Sequence, residues 1–391
     1  MTTLQQPSFR PSDPDPVIEP PVIQPPATLG ILGGGQLGRY FVMAARTMGY
    51  ATIVLEPDPG APAGAVADEH LVAAYDDQSA LRHLASSCAA VTTEFENPPS
   101  AAMEWLSSRT AVRPSPTAVA IAQDRQLEKA FLRDADIPLA PFAVIETSDD
   151  VTNASDLRYP AILKTARMGY DGKGQVGVAA HDQLAAAWAE LGHQRCVLEE
   201  RLALDAEMSV VLARGTTGDI AIYPTAHNTH VDGILDCTVV PYAAAGAGEL
   251  AAHIATSLDY VGVLAVEMFT VGGQLLVNEL APRPHNSGHW TLDAARTSQF
   301  QQQVRAVCGV GLGDPSLSAP AAAMVNLLGD LWAEGQPDWS VVLADPNASL
   351  HLYGKTSARP GRKMGHITVM ASDPDEAEHR ARTIRSRLRT R

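Results

Sequence analysis

The sequence has few cysteines and no long apolar run, and both shortages exclude classes of protein. Four cysteines occur in 391 residues, at positions 88, 196, 237 and 308, and none lies in a Cys-x-x-Cys pair. Thiols this scattered support neither a zinc site nor a disulfide scaffold, and they fit a reducing compartment. No apolar run approaches the ~20 residues that cross a bilayer. The N-terminus also lacks the basic-then-apolar order of a secretory signal, so we expect a cytoplasmic protein without membrane contact.

Positive charge is also scarce. Twenty-nine Lys and Arg face 44 Asp and Glu, which gives a net charge of −15. So acidic a surface argues against broad nucleic-acid binding, which needs a basic face. The hydrophobic fraction of 46% and the charged fraction of 19% are typical of a soluble globular enzyme. Such an enzyme would need a local cluster of cations to attract a small anionic substrate.

Proline and the hydrophobic pattern divide the chain. Eight prolines fall within residues 1–27, which predicts a disordered tail. Buried strands at 28–32, 51–55, 72–74 and 90–93 alternate with helices at 39–48 and 79–88, as in a parallel α/β unit. A helix over 116–135 then carries Asp124, Arg125 and Lys129 on a polar side. Short strands and turns follow, typical of an α+β module, and the final segment 376–391 predicts a basic, solvated helix.

A glycine loop follows the first strand. Gly33-x-Gly35-x-x-Gly38 lies between a strand and a helix, with Glu56 about 20 residues downstream. Alone, this pattern indicates an NAD-dependent dehydrogenase. Its physical content is narrower, because glycines let the N–H groups at a helix N-terminus approach any phosphate closely. A purely structural tight turn is the alternative.

A second glycine loop runs from Lys164 to Gln175 and has strands on both sides. No Gly-Lys-Ser/Thr follows, so a Walker-type site is excluded. A glycine loop with interleaved cations can close over polyphosphate and exclude water, and Lys164 can reach a phosphate oxygen from the end of its strand. An ordinary exposed hairpin is the alternative.

Two glutamates flank a predicted hairpin turn at 271–273. The turn places Glu267 and Glu279 almost directly across from each other in apolar strands. Facing carboxylates repel unless a cation lies between them, and with the Asn278 oxygen they form an all-oxygen site that suits Mg²⁺. The alternative is that either carboxylate points into solvent.

Two further segments are rich in side chains that can donate hydrogen bonds. The planar guanidinium group of Arg283 can donate two parallel hydrogen bonds to a carboxylate or bicarbonate. His285, Asn286 and Ser287 could bind a small oxyanion nearby. A basic cluster, composed of Lys355, Arg359, Arg362 and Lys363, fits either phosphate capture or a solvated face.

Together these segments resemble the ATP-grasp superfamily, and more closely its N5-carboxyaminoimidazole ribonucleotide synthase family. The resemblance is carried by Lys164 and by residues 33–38, 94–97, 169–175, 199–202, 227–228, 267, 278–283, 285–290 and 359–363. It implies an α/β and α+β fold with three domains: a Rossmann-like preATP-grasp domain (28–122), a lid with a linker helix (123–203) and a C-terminal ATP-grasp domain (204–391). It also implies a homodimer.

The resemblance implies a ligase that uses ATP, Mg²⁺ and bicarbonate to carboxylate 5-aminoimidazole ribonucleotide through carboxyphosphate. The implied ATP ligands are Arg125, Lys164, Gly169, Tyr170, Asp171, Gly172, Lys173, Gly174, Gln175, Glu199, Glu200, Arg201, Leu202, Glu207, His227, Asn278 and Glu279. The implied ribonucleotide ligands are Gly35, Gln36, Glu94, Tyr170, Asp171, Lys355, Arg362 and Lys363. The implied catalytic residues are Tyr170, Arg283, His285, Asn286 and Lys355, and the metal ligands are Glu267 and Glu279.

Two rival functions remain at this point. Another ATP-grasp enzyme, such as a formate-dependent transformylase or a biotin carboxylase, would share most of these motifs. An NAD-dependent oxidoreductase would use the first glycine loop but would leave Glu267 and Glu279 without a role.

Overall fold

A computed structural model of the chain describes residues 22–169 and 174–388. The predictions for most of the tail (1–21) and for Tyr170, Asp171, Gly172 and Lys173 lie outside the described residues. The strands are β1 Thr28–Leu32, β2 Ala51–Leu55, β3 Glu69–Leu71, β4 Ala90–Thr93, β5 Ala111–Val112, β6 Phe142–Ile145, β7 Ala161–Thr165, β8 Gln175–Val178, β9 Cys196–Glu200, β10 Ala206–Arg214, β11 Ile220–Ile222, β12 Ala226–Val231, β13 Ile234–Val240, β14 Gly262–Val271, β15 Gln274–Ala281, β16 Ala321–Leu328, β17 Ala348–Leu352 and β18 Lys363–Ala371. The helices are α1 Gln36–Thr47, α2 Gln78–Ser87, α3 Ser100–Ser107, α4 Pro116–Gln123, α5 Arg125–Asp134, α6 Ser148–Asn153, α7 Leu184–Glu190, α8 Ala247–Ser257, α9 Thr291–Ala294, α10 Gln299–Cys308, α11 Ser340–Leu343 and α12 Pro374–Ser386.

These strands form three sheets. The first sheet is parallel, with the order β3-β2-β1-β4-β5. The small sheet is antiparallel, with the order β6-β9-β7-β8. The large sheet has nine strands in the order β15-β14-β10-β12-β13-β16-β18-β17, with β11 paired to β10. The predicted parallel α/β unit followed by α+β modules is therefore confirmed, while the three domain limits stay predictions.

Two boundaries differ from the sequence-based expectation. The third strand covers Glu69–Leu71 and not 72–74, because the Ala73 N–H turns back to the Leu71 carbonyl and ends the strand. The helix expected over 116–135 is broken at Asp124. Asp124 adopts an extended backbone (φ −125°, ψ 109°), and its side chain accepts a hydrogen bond from Gln126 N–H, so it caps a new helix.

Lys129 on α5 also differs from expectation. The sequence pattern predicts a solvated polar side for this residue, but its relative exposure is 0%. A lysine is almost never fully buried unless its ammonium is paired, so α5 faces polar partners inside the protein.

The C-terminal helix α12 is only partly solvated, in contrast to the prediction. Ala377, Ala381 and Ile384 are buried in a core cluster with residues of β16 and β18. The basic face is paired instead with Asp236 of β13, whose carboxylate contacts Arg382 and Arg385 at 2.6 Å each.

We expect Asp236→Asn to lower the free energy of unfolding by about 2 kcal/mol at pH 7, since it removes the anion from charge-assisted hydrogen bonds. Burial opposes ionisation, but Arg385 and Arg382 hold the pKa of Asp236 below its usual value. A depressed folded-state pKa contributes stability above the unfolded pKa of about 3.9, and this contribution is lost as the pH falls through the folded value. Urea unfolding should therefore separate the variant from wild type at pH 7 but much less near pH 3. The exposed Asp232→Asn serves as the control; equal curves for both variants at pH 7 would contradict the prediction.

None of the helices in the described ranges combines the length and apolar character needed to cross a membrane.

Candidate active site

A cleft of about 1140 Å³ lies where the three sheets meet. Gln36 at the start of α1 and Glu94 directly after β4 line it, together with Lys164 of the small sheet and with Glu267 and Glu279 of the large sheet. The other predicted site residues that line it are Arg125, Gly169, Gln175, Arg201, Glu207, Asn278, Arg283, His285, Asn286, Lys355, Arg362 and Lys363. The sequence therefore identified one common cavity from segments that are far apart in the chain.

Glu267 and Glu279 face each other as predicted, but a β-bulge produces this register. Near the turn, Phe269 pairs with Leu276, and continuing that register would place Asn278 opposite Glu267. A register shift between Glu267 and Met268 inserts one extra residue on β15, so that Glu267 pairs with Glu279. The bulge thus determines which side chain of β15 faces Glu267.

Protein side chains partly neutralise both glutamates. Arg125 Nη1 contacts Glu279 Oε2 at 2.9 Å. Burial opposes ionisation of Glu279, but Arg125 lowers its pKa to about 2. Burial and the neighbouring Glu279 raise the pKa of Glu267 to about 7. The expectation that only a bound cation makes the pair tolerable is therefore wrong, because Arg125 compensates Glu279.

The Glu267 carboxylate also contacts His285, whose Nε2 lies 3.3 Å from Oε1. Burial and the nearby Arg283 hold the pKa of His285 well below its usual value, so the ring is neutral. His285 Nδ1 accepts a hydrogen bond from Ser287 N–H, which assigns the proton to Nε2 and makes it a donor to Glu267. Beneath the ring, a buried chain of hydrogen bonds links Ser287, Ser209 and Asn228. This chain fixes the tautomer and orientation of His285.

Lys164 approaches the cleft from the small sheet and is paired with Glu199. Its Nζ lies 3.1 Å from Glu199 Oε2, while Lys129 Nζ lies 3.6 Å from Oε1. Burial opposes ionisation, but Lys129 and Lys164 together keep the pKa of Glu199 below its usual value. The two lysines thus share one buried carboxylate, and the Glu199 side chain acts as their counter-ion.

Backbone N–H groups in the rest of the 199–202 segment form hydrogen bonds within the protein. The N–H groups of Glu200 and Arg201 donate to the Pro141 and Pro160 carbonyls. These two N–H groups are therefore engaged within the protein, and of Glu200, Arg201 and Leu202 the lining of the cleft includes Arg201. At the end of the second glycine loop, the carbonyl of Gly174 accepts a bond from Thr165 N–H.

His227 does not reach the cleft, contrary to the prediction. It lies opposite Met208 in the β10–β12 register, on the sheet face that packs into the core, and its ring centroid lies 5.1 Å from that of Tyr242 with the two planes tilted by 37°. His230 lines the cleft instead, and its Nδ1 contacts Glu207 Oε2 at 2.6 Å. Burial opposes protonation, but the hydrogen bond to Glu207 raises the pKa of His230. His230 follows Asn228 by two residues on β12, so strand alternation places it on the face of Glu207 and opposite to His227. The register shift after Thr229 places the extra residue, Asp236, on β13.

The first glycine loop is occupied by the protein's own carboxylates. Glu94 accepts hydrogen bonds from the N–H groups of Gly35 (2.5 Å) and Gly38 (2.9 Å), and Glu56 accepts one from Gly34 (2.9 Å). A Cβ on Gly35 would lie 2.6 Å from Glu94 Oε1, which explains the glycine. Burial raises the pKa of Glu94 even though these amides favour its charged form. The interpretation of this loop as a phosphate site is therefore not supported, and the dinucleotide interpretation fails with it.

The donors around Arg283 are partly engaged. The guanidinium of Arg283 pairs with Glu96 and donates to the Pro284 carbonyl at 3.0 Å. Asn286 differs, because it is only 6% exposed and neither polar atom of its side chain has a hydrogen-bond partner within the described residues. A buried amide without partners requires a ligand or water to satisfy it. Asn286 is thus the donor that a small oxyanion would satisfy.

The basic cluster predicted from charge lines the same cleft. Lys355 Nζ donates to the Lys363 carbonyl at 2.6 Å, and Arg362 Nη1 donates to the Ser357 carbonyl at 2.8 Å. These bonds help to hold the two side chains in place, and Arg359 also belongs to the lining.

Comparison with known proteins assigns this arrangement to a family. Three family models match along the chain: a ribonucleotide synthetase preATP-grasp domain over residues 26–123, an ATP-grasp domain over 130–300 and a phosphoribosylaminoimidazole carboxylase C-terminal domain over 322–380. The N5-carboxyaminoimidazole ribonucleotide synthase of Bacillus subtilis is 43% identical over 366 residues, which cover 91% of this chain and 94% of that protein. The chain belongs to the N5-carboxyaminoimidazole ribonucleotide synthase family.

Solved structures of family members agree with this assignment. An ADP complex of an N5-carboxyaminoimidazole ribonucleotide synthetase superposes with a TM-score of 0.87 at 37% identity and covers 93% of this chain and 98% of that one. The Aspergillus clavatus N5-carboxyaminoimidazole synthase, in complex with ADP and 5-aminoimidazole ribonucleotide, gives a TM-score of 0.82 at 29% identity, with 92% and 98% covered. The chain is therefore an ATP-dependent ligase of purine biosynthesis, as the sequence motifs predicted.

Sequence reasoning missed three residues of the synthase site: Lys129, His230 and Glu96. Lys129 and Arg125 are four residues apart, so a helix starting at Asp124 would have placed them on one face. Glu96 lies within the segment 94–97 that carried the family resemblance, but nothing in the sequence paired it with Arg283. His230 lies on the opposite face of β12 from His227, so strand alternation could have identified it once β12 was located.

Proposed function

We propose that this synthase joins bicarbonate to 5-aminoimidazole ribonucleotide at the expense of ATP and gives N5-carboxyaminoimidazole ribonucleotide, ADP and phosphate. The observation that carries the proposal is the facing pair Glu267 and Glu279, which shares one cleft with Lys164 and with the basic cluster. Such a cleft can hold a nucleoside triphosphate and a phosphorylated acceptor together, as transfer between them requires.

The facing carboxylates fit Mg²⁺. Both belong to the same cleft wall, both present hard oxygen donors, and Asn278 lies beside them. Bound with ATP, Mg²⁺ would supply neutralisation of the charge on the phosphate oxygens. Lys164 and Arg125 would hold further phosphate oxygens, and Glu207 and His230 would bind the ribose hydroxyls.

In the proposed sequence, a bicarbonate oxygen attacks the γ-phosphorus, and the bond to the β-phosphate oxygen breaks to release ADP. Arg283, His285 and the unsatisfied amide of Asn286 would orient the bicarbonate. Neutral His285 can donate from Nε2 but carries no charge that would compete with the reaction centre. The resulting carboxyphosphate loses phosphate to give CO₂, which the exocyclic amine attacks, and the phosphate accepts the amine proton.

The ribonucleotide would bind between Gln36 and the basic cluster, with Lys355, Arg362 and Lys363 near its 5′-phosphate. Tyr170 and Asp171 are proposed to cover it from the second glycine loop. Gly35 and Glu94 contribute indirectly, because their mutual hydrogen bond fixes the loop that carries Gln36.

The decisive test is ADP release by the purified chain with ¹⁸O-labelled bicarbonate. We expect release to require both bicarbonate and 5-aminoimidazole ribonucleotide, and one ¹⁸O atom to appear in the phosphate, since the attacking oxygen stays on phosphorus. Release that requires formate or biotin, or that ignores the ribonucleotide, would refute the proposal in favour of another ATP-grasp reaction.

We expect His230→Ala to raise the KM for ATP about 10-fold, because it removes the cleft histidine hydrogen-bonded to Glu207. His227→Ala is the matched control, since that ring lies on the opposite face of the same strand. Steady-state kinetics with varied ATP measure both. If His227→Ala gave the larger increase in KM, the assignment of His230 would be wrong.

We further propose that the synthase acts in the cytoplasm as a homodimer. The free state of all four cysteines supports a reducing compartment. The dimer rests on the family resemblance, and light scattering of the purified chain tests it.

A further inference from the structure

The face of α5 that contacts β15 carries three charged residues at helical spacing. Arg125, Glu128 and Lys129 lie at positions i, i+3 and i+4, and Glu128 and Lys129 are 1% and 0% exposed. Charged side chains are almost never this buried without a specific partner. Their partners are three consecutive residues of β15.

Each of these α5 side chains contacts one residue of β15, and Lys129 also contacts Glu199. Arg125 Nη1 binds the Glu279 carboxylate at 2.9 Å. Lys129 Nζ donates to the Asn278 carbonyl at 2.9 Å, and the Glu128 carboxylate accepts from Leu280 N–H at 2.6 Å. Side chains of α5 therefore bind backbone groups of the residues before and after Glu279, in addition to the pairing of Leu280 with Val266 of β14.

The topology explains why side chains are needed here. β15 is the edge strand of the large sheet. On its outer side Val277 forms an isolated bridge with Leu139, and the Val277 N–H donates to the Pro138 carbonyl. Within the described residues, no strand pairs with that side from Asn278 to Leu280. The bulge at Asn278 disrupts pairing on the inner side at the same place. Buried backbone groups must be paired, and Glu128 and Lys129 supply the missing acceptor and donor.

We propose that Glu128 and Lys129 are positioning residues that hold the bulged segment 278–280 so that Glu279 faces Glu267. Neither residue is among the lining of the main cleft, although Glu128 lines a small cavity of about 30 Å³ that shares Arg125 and Glu279 with it. This inference rests on the proposed function insofar as it takes the two facing glutamates as the divalent-cation ligands.

The role of Glu128 is that of a hydrogen-bond acceptor of defined reach. Burial raises its pKa to about 8, although Lys129 and Arg125 favour the charged form. Glu128→Gln keeps an acceptor at the same position. Glu128→Asp keeps the carboxyl group but is one methylene shorter, and Glu128→Met keeps the length but cannot accept.

The test is calorimetric binding of MgADP to the full chain, with turnover at varied Mg²⁺ as a second readout. We expect Glu128→Met and Glu128→Asp to weaken MgADP binding about 10-fold and to raise the Mg²⁺ concentration for half-maximal turnover to a similar degree, with the KM for the ribonucleotide unchanged. Glu128→Gln should stay within about 3-fold of wild type.

Two controls separate positioning from general damage. Leu127→Gln lies on the exposed side of α5, and Ile384→Ala removes core volume on α12, far from β15. Both should leave the Mg²⁺ dependence unchanged. If Glu128→Met does not fold, MgADP binding by Glu128→Asp is the measurement that tests the inference.

The inference is overturned if Glu128→Asp binds MgADP as wild type does, if Glu128→Gln is as impaired as Glu128→Asp, or if Ile384→Ala shifts the Mg²⁺ dependence equally. Failure of the proposed function looks different. In that case turnover by the wild-type protein would not depend on the ribonucleotide, while the order of the Glu128 variants in MgADP affinity would still hold.

Discussion

Replacing Glu279 by Gln is expected to lower kcat about 1000-fold, which corresponds to about 4 kcal/mol of lost transition-state stabilisation. Glutamine keeps the volume of the side chain but removes one of two facing anions, so a divalent cation loses half of its carboxylate ligands. Arg125 would then face a neutral amide in the position of its partner. Initial rates of ADP release at saturating ATP, ribonucleotide and bicarbonate measure the effect.

The same variant should remain folded, which makes the kinetic loss interpretable. Loss of the pair with Arg125 destabilises the protein, while relief of the repulsion between Glu267 and Glu279 offsets it. Because the Glu279 side chain is 36% exposed, we expect the free energy of unfolding to change by no more than about 1 kcal/mol. Glu249→Gln, an exposed substitution on α8, is the matched control for turnover. Near-normal turnover in Glu279→Gln would contradict the assignment of Glu279 as a metal ligand that the reaction requires.

Lys164→Met is expected to lower kcat/KM for ATP about 100-fold, or about 2.7 kcal/mol. The methionine fills the same space along the strand but cannot donate to a phosphate oxygen. It also leaves Glu199 with Lys129 as its one remaining lysine partner among the described residues, so the carboxylate would repel an approaching triphosphate. Steady-state rates at varied ATP measure the change.

Arg158→Met is the control for Lys164. It also removes one cation from the unit built on the small sheet, but its side chain is exposed to solvent. A fall in kcat/KM of similar size in both variants would show that the total charge of this unit matters, and not the position of Lys164.

The sequence predicted most of the fold because the elements carry strong local signals. β1 and β2 are mainly apolar, β4 is a short run of small and β-branched residues, and the turn at 272–273 is a glycine pair, so both the first sheet and the β14–β15 hairpin could be located. The strands β12, β13, β17 and β18 could not, since their apolar residues are interleaved with His, Asn and Thr that face the cleft or the core. Their assignment depends on neighbours that are distant in sequence.

The residues of the site likewise fall into those that the sequence predicted and those that it did not. Residue types that bind phosphate or metal were found from motifs, and the cleft contains most of them. What the sequence could not reveal was pairing within the protein: Glu94 with the first glycine loop, Glu96 with Arg283, and Lys129 with Glu199. The two members of each pair are far apart in the sequence and come together only through tertiary packing. In each pair, at least one member is a group that a motif would lead us to expect in contact with a ligand.

The carboxylate that fills the first glycine loop has a consequence for the interpretation of other sequences. Glu94 directly follows β4, the neighbour of β1 in the parallel sheet, so its backbone N–H bonds to Leu32 at the end of β1. Adjacent parallel strands end at the same edge, and an acidic residue at the end of β4 therefore meets the helix that starts after β1. An acidic residue in that position thus distinguishes a glycine motif whose amides are satisfied internally from one that is free to bind a nucleotide. Conversely, redesigning such a loop to accept a dinucleotide would have to start by replacing Glu94.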